Sequence, residues 1–252
     1  MIEIIAEIGI NHNGYMGLAK DMIWAAKEAG ADVAKFQIYD PKRVLDKNHP
    51  LLVDHWETIL ATELSRDQVN ILKGECDRAG IEFLASVFRP EVVEWTEEIG
   101  MERYKIASRS VYDKPLAKAI AKTGKPVIVS YGMIEPDWPP YIWWEHMDGG
   151  VIQGNPQISK LYCVSKYPTE LSDIDFYDGG TLSLFQQGVY QGFSDHSVGI
   201  AASVAAMVVG AKIIEKHVTM HKGMAGPDHR CSISFYELEQ LCNFRDDLEE
   251  ML

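Results

Sequence analysis

Short apolar runs alternate with amphipathic stretches along most of the chain. Residues 2–9 (IEIIAEIG) have the pattern of a buried strand, and the helical pattern over 19–31 ends at Gly30. A second strand is predicted over 32–39, and a helix over 65–80 with Ser65 as its N-cap. Further strands are predicted over 82–88, 103–108, 126–130, 157–163, 190–194 and 212–218. The pattern therefore predicts about eight strands, most of them followed by a helix.

Strict alternation of strands and helices implies a parallel sheet. Eight units in 252 residues predict an α/β fold, the eight-stranded (β/α) TIM barrel. The open doubly wound sheet is the alternative, but it normally has fewer strands, and no GxGxxG follows the first strand here. No linker or repeat divides the chain, so residues 1–252 are predicted to form a single catalytic domain.

The segment 131–156 breaks this rhythm and is rich in Trp, Pro and Gly. Its Trp138, Trp143 and Trp144 are expected to fold the loop over the barrel mouth or to contact another subunit. The four cysteines form no CxxC pair and are expected to be reduced thiols.

The net charge of the chain limits the classes of molecule that it is expected to bind. The net charge of −13 repels nucleic acid and anionic membranes, so neither is an expected partner. A small anionic substrate remains compatible, because a few converging lysines can dominate inside a cleft. No apolar run approaches the roughly 20 residues of a spanning helix, and the N-terminus lacks a basic signal region. A cytoplasmic protein is therefore expected.

Polar residues occupy the carboxyl ends of the predicted strands, where barrels of this kind place their active sites. Lys35 and Lys105 each lie in an apolar strand, and a lysine is almost never buried without a partner. One interpretation is an ion pair with Glu7. With Ser108, Ser130 and Ser194, the lysines also provide donors suited to a phosphate and a carboxylate. A Schiff-base lysine is the rival functional interpretation.

His196 and His217 follow adjacent strands, and two such histidines can share a divalent ion that leaves positions open for water and substrate. Hydrogen-bonded structural histidines are the alternative. Asp195, Glu215 and Asp228 are candidates for holding the imidazoles or the waters of a metal. Glu7 is a candidate base or water-orienting acid as well as a partner for Lys35.

Six motifs carry a resemblance to a known family: IIAEIGINHNG (4–14), GADVAKFQ (30–37), YKIAS (104–108), GFSDHSVG (192–199), IIEKHVT (213–219) and GPDHRCS (226–232). In order and spacing the chain resembles the sialic acid synthases, which make N-acetylneuraminate, legionaminate and pseudaminate. The resemblance implies a TIM barrel that condenses phosphoenolpyruvate with an amino-sugar aldehyde, giving a nonulosonic acid and phosphate. It also implies a divalent metal, Mn²⁺ or Mg²⁺.

Residue by residue, the resemblance implies that His196 and His217 hold the metal and that Glu7 serves the aldehyde or the attacking water. It implies phosphoenolpyruvate binding by Lys35, Lys105, Ser108, Ser130 and Ser194. The resemblance also implies that Tyr167 and Asp228 line the sugar site. Gln37 and Ser165 are the other predicted substrate-binding residues.

The chain also departs from the family pattern. Arg109–Ser110 stands where the family usually has Gly–Glu, and Ser165 stands where it usually has asparagine. The chain ends at Leu252, whereas the family usually carries a C-terminal antifreeze-like domain, so a homodimer or a separately encoded cap domain is an expected partner. We expect a remodelled sugar site that makes N-acetylneuraminate poorly from N-acetylmannosamine. The alternatives are a pyruvate Schiff-base aldolase and a non-catalytic barrel that binds a sugar or a partner.

Overall fold

A computed structural model describes residues 1–50, 52–133, 158–176 and 181–251. Eight parallel strands each pair with the next, and the eighth pairs back with the first, which closes the sheet into a barrel. The strands are β1 (Glu3–Gly9), β2 (Val33–Ile38), β3 (Glu82–Val87), β4 (Tyr104–Ile106), β5 (Val127–Tyr131), β6 (Ile158–Cys163), β7 (Gly192–Asp195) and β8 (Ile213–Thr219). The TIM-barrel prediction is confirmed, and the open-sheet alternative is wrong. A two-residue strand, β9 (Ile233–Ser234), extends the sheet beside β8.

Helices surround the barrel. They are α1 (Met16–Glu28), α2 (Pro41–Val44), α3 (Trp56–Ala61), α4 (Arg66–Ala79), α5 (Pro90–Glu98), α6 (Lys114–Ala121), α7 (Thr181–Gln186), α8 (Ala201–Val208) and α9 (Phe235–Met251). Short 3₁₀ turns occur at Val53–His55, Ser108–Ser110 and Leu171–Asp173. The sequence pattern did not predict α2 and α3, which are too short to show a helical period.

The predicted N-cap of α4 is present. Ser65 Oγ accepts a hydrogen bond from the Gln68 backbone N–H at 3.3 Å, and Gln68 Oε1 accepts from the Ser65 N–H at 2.8 Å. This reciprocal pair satisfies two amides that have no partner within the helix. Gly80 ends the helix with φ +68°, a conformation that glycine adopts without steric cost. The three tryptophans of the predicted mouth loop lie outside the described residues.

The barrel interior has two layers. Six apolar side chains from six strands form one buried cluster: Ile5, Val33, Leu84, Ile128, Leu161 and Ile213. Because side chains alternate along a strand, the residue two positions further faces the same interior. Those residues are Glu7, Lys35, Ser86, Ser130, Cys163 and Glu215. An apolar floor thus supports a polar layer at the carboxyl end of the barrel.

Asp195 belongs to a different environment from its neighbours Ser194 and His196. Its carboxylate accepts hydrogen bonds from Ser203 Oγ at 2.6 Å and lies 3.0 Å from Lys216 Nζ. Both charged side chains are fully buried. Alternation places Asp195 and Lys216 on the outer surface of β7 and β8, under α8. Asp195 was a candidate for holding an imidazole or the waters of a metal, but its carboxylate lies on the outer surface of the barrel, against Ser203 and Lys216, and does not face the imidazoles.

No helix in the described ranges is long and apolar enough to cross a membrane. All four cysteines are free and buried, as expected for reduced thiols: Cys76, Cys163, Cys231 and Cys242.

Gly192 in β7 lies where the neighbouring strands pack most closely against it. A Cβ at this position would lie 2.2 Å from the Ile213 carbonyl oxygen and 2.6 Å from Leu161 Cδ2, on the two flanking strands. We expect Gly192→Ala to lower the free energy of unfolding by about 3 kcal/mol, because the backbone carbonyl cannot move without breaking the sheet. Urea unfolding measures this change.

Gly17→Ala is the matched control. No heavy atom lies within 4 Å of a Cβ at Gly17, which is in α1. This variant should be neutral or stabilised by up to about 1 kcal/mol. Equal stability of the two variants would contradict the packing argument.

Candidate active site at the carboxyl end of the barrel

Four charged side chains meet in the polar layer. Lys35 Nζ lies 2.6 Å from Glu7 Oε2 and 3.4 Å from Glu215 Oε2, and Lys105 Nζ lies 3.1 Å from Glu215 Oε1. None of the four side chains is more than 7% exposed. We call Glu7, Lys35, Lys105 and Glu215 the charged quartet. Its two ammonium groups and two carboxylates balance, so these groups compensate one another away from bulk water.

Hydroxyl groups complete the hydrogen bonding of the quartet. Lys35 Nζ donates to Ser86 Oγ at 3.1 Å, and Lys105 Nζ donates to Ser130 Oγ at 2.8 Å. Ser194 Oγ donates to Glu215 Oε1 at 2.7 Å. The site therefore combines ammonium and hydroxyl donors, the groups that bind phosphate and carboxylate oxygens.

Burial and pairing shift the pKa values of the quartet in different directions. Burial alone would raise the pKa of Glu215, but the positive charges of Lys105 and Lys35 lower it by more. The pKa of Glu215 is therefore well below the usual range of a glutamate. For Glu7, burial outweighs the charge of Lys35 and raises the pKa. Burial lowers the pKa of Lys105, and the nearby charge of Lys35 adds to this effect.

Glu215 was a candidate for holding an imidazole or the waters of a metal, and its observed partners are Lys35, Lys105 and Ser194 rather than an imidazole. In the sheet, Glu215 lies opposite Ser194 on β7 and Ile5 on β1, and its carboxylate sits between the two lysines. The imidazole of His217 lies one inward position further along β8.

Gly9 leaves space beside the quartet. The pairing of β1 with β2 shifts between Glu7 and Gly9, and Gly9 has φ +54°. A Cβ there would lie 3.2 Å from Glu7 Oε1, 3.3 Å from Gln37 Nε2 and 3.4 Å from His217 Cε1. Gln37 Nε2 donates to Glu7 Oε1 at 3.0 Å, so this side chain fixes the carboxylate from the mouth side.

The two predicted histidines are neighbours, with ring centroids 5.6 Å apart. The Tyr167 ring lies 4.1 Å from the His196 ring. His196 Nδ1 donates to the Val164 carbonyl at 3.0 Å, which leaves Nε2 as the basic nitrogen. His217 Nδ1 is buried, has no hydrogen-bond partner among the described residues, and lies 3.8 Å from Asp228 Oδ2.

The residues present fit a metal held by two histidines. Burial lowers the pKa of His217 to about 4, so the imidazole is neutral at neutral pH, the form that binds metals. An unpartnered buried nitrogen is what a ligand position requires. Within the described ranges, no three His, Cys, Asp or Glu side chains group closely enough to hold an ion by themselves. Two imidazoles would leave the other positions to water and substrate.

Other predicted residues take supporting positions. Ser108 Oγ donates to the Ser130 carbonyl at 3.2 Å and accepts from the Gly132 N–H at 2.9 Å, so it ties β4 to the end of β5. Ser165 Oγ lies 3.9 Å from Cys163 Sγ. Lys166, next to Ser165, is exposed and pairs with Asp173 at 2.6 Å, outside the mouth.

Sequence reasoning missed Cys163 as a member of the site. Its Sγ lies 3.7 Å from His196 Nδ1. Cys163 follows the inward residue Leu161 by two positions, and this alternation was the available signal. Ser86 belongs to the same inward set and was not chosen as a site residue.

Comparison with known proteins gives a consistent result. The sequence model of the NeuB family matches residues 22–252. The N,N'-diacetyllegionaminic acid synthase of Legionella pneumophila is 33% identical over 268 residues, which cover 99% of this chain and 72% of that protein. The human N-acetylneuraminate-9-phosphate synthase is 34% identical over 247 residues, covering 94% of this chain and 67% of that protein.

A solved structure agrees with the sequence relatives. The N-acetylneuraminic acid synthetase of Leptospira borgpetersenii superimposes with a TM-score of 0.84 at 30% identity, covering 99% of this chain and 84% of that one. The similarity therefore extends through the whole barrel and includes the strand ends that carry the charged quartet.

The position of Glu215 predicts a large effect of one substitution. Glu215→Gln removes the charge between two buried lysines. Glu7 then remains as the charged partner of Lys35, and Lys105 loses its ion pair. We expect the free energy of unfolding at pH 7 to fall by about 3–5 kcal/mol, because an uncompensated charge stays buried. Chemical denaturation measures it.

The control is Glu98→Gln, which removes the carboxylate of an exposed pair with Arg66. Exposed pairs contribute little, so this variant should unfold like the wild type. A similarly small effect for Glu215→Gln would show that the quartet is not held together by its charges.

Proposed function

This chain belongs to the NeuB family, the sialic acid-type synthases, and from that membership and its site we propose that it condenses phosphoenolpyruvate with an amino-sugar aldehyde. The products are a nonulosonic acid and inorganic phosphate. The observation that supports this most directly is the placement of Lys35 and Lys105, bridged by Glu215, beside two adjacent histidines at one barrel mouth.

The quartet supplies the anion site. The phosphate and carboxylate of phosphoenolpyruvate compete with Glu7 and Glu215 for the lysine ammonium groups and the serine hydroxyls. In the buried layer these donors act at low dielectric, where their attraction for a multiply charged anion is strong. Glu7, with its raised pKa, is the group proposed to orient the aldehyde or the attacking water.

His196 and His217 are the proposed holders of a divalent ion, Mn²⁺ or Mg²⁺. When bound, such an ion acts as a Lewis acid that polarises the aldehyde carbonyl. The chain fixes the two imidazoles by its own contacts: the Val164 carbonyl sets the tautomer of His196, and the Tyr167 ring packs against it. Asp228, beside His217, and Tyr167 are the proposed sugar contacts, with Gln37 and Ser165 at the rim.

A second candidate rests on Lys105. Its pKa is lowered by burial, and a lowered pKa is what a Schiff-base lysine needs. A pyruvate aldolase would use this amine as a nucleophile. Borohydride with pyruvate would trap such an adduct as an increase in mass on Lys105, and the synthase would show none.

The direct test of the synthase is release of inorganic phosphate from phosphoenolpyruvate in the presence of Mn²⁺ and a panel of amino aldoses. Release that depends on the aldose, with a nonulosonic acid detected by mass spectrometry, supports the proposal. Absence of release with every aldose, together with pyruvate trapping by borohydride, would favour the aldolase. Absence of both would favour the non-catalytic barrel.

The anion-site assignment predicts the effect of removing either lysine. Lys35→Ala and Lys105→Ala should each weaken phosphoenolpyruvate binding by about 2–5 kcal/mol, because each removes one partner of a desolvated charge pair. Calorimetry measures the affinity, and circular dichroism checks that each variant is folded. Lys166→Ala, at an exposed lysine, is the control and should bind like the wild type. Unchanged affinity in both quartet variants would reject the assignment.

The metal assignment predicts a shared dependence on the two histidines. His196→Ala and His217→Ala should each weaken Mn²⁺ binding about tenfold or more, because each removes one of two proposed nitrogen ligands. Calorimetry on the protein without substrate measures this separately from turnover. His49→Ala, at an exposed histidine, is the control. Full Mn²⁺ occupancy in the double variant would contradict the assignment.

A further inference from the structure

The chain has eight arginines, and they divide by their partners. Five have a carboxylate within ion-pair distance: Arg43, Arg66, Arg78, Arg103 and Arg245. For the other three, Arg89, Arg109 and Arg230, no ion pair is formed with the described residues. The chain has 37 Asp and Glu residues against 24 Lys and Arg residues, so an arginine that lacks a carboxylate partner is unexpected. All three follow barrel strands at the carboxyl end, after β3, β4 and β8.

Arg89 and Arg109 follow adjacent strands. Ser86 of β3 is in register with Lys105 of β4, and Arg89 and Arg109 come three and four residues later. The Nε of Arg89 is buried and has no hydrogen-bond partner in the described part of the chain. A buried guanidinium nitrogen without an acceptor is costly, and a bound anion would remove that cost.

Arg109 is fixed against the rim of the same mouth. Its Nη2 donates to the carbonyl of Val44 in α2. Val44 packs on an apolar cluster that includes Tyr39 and Phe88, the residue before Arg89. The rings of Tyr39 and Phe88 are 5.8 Å apart. Arg109 is therefore attached to this apolar wall of the mouth through Val44, and Arg89 directly follows Phe88, a member of the wall.

Tyr39 belongs to this wall and lies near Asp228, one of the proposed sugar contacts. Burial raises its pKa to about 12, Asp228 adds to the rise, and Arg109 opposes it. The Tyr39 hydroxyl is thus within electrostatic reach of both Arg109 and Asp228. Asp228 lies beside His217, so Arg109 and the proposed sugar contacts share one mouth.

We propose that Arg89 and Arg109 form an anion-binding subsite that takes a negatively charged group of the acceptor sugar, a phosphate ester or a carboxylate. This inference rests on the proposed function, because it concerns the second substrate of that reaction. Arginine suits the role, since its planar guanidinium pairs two donors with two oxygens of either group.

The register separates this subsite from the phosphoenolpyruvate site. Lys35 and Lys105 contact Ser86 and Ser130 in the buried layer. An extended chain advances about 3.3 Å per residue, so Arg89 lies up to roughly 10 Å along the chain from Ser86. The acceptor must place its aldehyde beside phosphoenolpyruvate and its far end toward the rim, where the arginines are. Arg109–Ser110 in place of Gly–Glu also exchanges a carboxylate for a cation in this part of the site.

Three acceptors that differ in one group test the inference: N-acetylmannosamine, its 6-phosphate and N-acetylmannosaminuronic acid. With phosphoenolpyruvate and Mn²⁺, we expect kcat/KM for at least one charged acceptor to exceed that for the neutral sugar tenfold or more. The charged acceptor that is preferred distinguishes a phosphate from a carboxylate. Arg89→Ala and Arg109→Ala should each reduce this preference about tenfold, mainly through KM of the acceptor.

Arg230→Ala is the matched control, because Arg230 is also unpaired but is exposed and follows β8. It should keep the preference. An equal loss in Arg230→Ala would indicate general attraction by positive charge and would overturn the subsite. A change in KM for phosphoenolpyruvate instead of the acceptor would also overturn it, as would equal use of neutral and charged acceptors by the wild type.

Calorimetry separates failure of the subsite from failure of the proposed reaction. N-acetylmannosamine 6-phosphate and N-acetylmannosaminuronic acid are each titrated into the protein without phosphoenolpyruvate. Binding of either that weakens about tenfold in Arg89→Ala and Arg109→Ala supports the subsite even if no condensation is detected. Binding of neither, in a protein that turns over neutral sugars, would overturn the subsite and leave the synthase intact.

Discussion

The Lys35–Glu215–Lys105 bridge is the interaction on which the rest of the site depends. Two ammonium groups are buried in the polar layer of a barrel, and each needs a negative partner to remain charged there. Glu215 serves both, and Glu7 adds a second contact to Lys35. The apolar floor beneath them excludes water from below. In the proposed reaction, the phosphate and carboxylate of phosphoenolpyruvate would take the place of these carboxylates at the two ammonium groups.

This exchange explains why the site needs more than lysines. The quartet is balanced, so a multiply charged substrate brings surplus negative charge into a buried layer. Neutral groups help without adding charge: the hydroxyls of Ser86, Ser130 and Ser194 already direct donors or acceptors at the quartet. Further positive charge has to come from the rim of the mouth or from a bound ion. The two imidazoles and the unpaired arginines occupy the places where such compensation is available.

Sequence periodicity was sufficient for the barrel because each strand and its helix show their own hydrophobic pattern. Glu7, Lys35 and His217 were predicted to lie together because polar residues at the carboxyl ends of parallel strands meet at one mouth. Alternation along each strand, which would also have selected Cys163, was not used. The sequence pattern did not show which charged side chains pair with each other. Asp195 and Glu215 were both candidates for holding the imidazoles or the waters of a metal. Asp195 instead pairs with Lys216 outside the barrel, and Glu215 bridges the two lysines. Which side chains pair depends on the register between neighbouring strands, and the sequence of a single strand does not encode that register. The short helices α2 and α3 depend on packing against the rest of the fold rather than on a helical hydrophobic period.

Two of the departures from the family pattern, Arg109 and Ser110, follow β4, whereas a third, Ser165, follows β6. The buried layer is set by strand alternation and charge balance, so a change there leaves an unpaired charge and destabilises the fold. Loops that follow the strands are free of that constraint. Arg89 follows β3 and Arg109 follows β4, where Arg109 donates a hydrogen bond to Val44, which packs on the apolar wall of Tyr39 and Phe88. Selectivity for the second substrate can therefore change here while the chemistry of the deeper layer is retained.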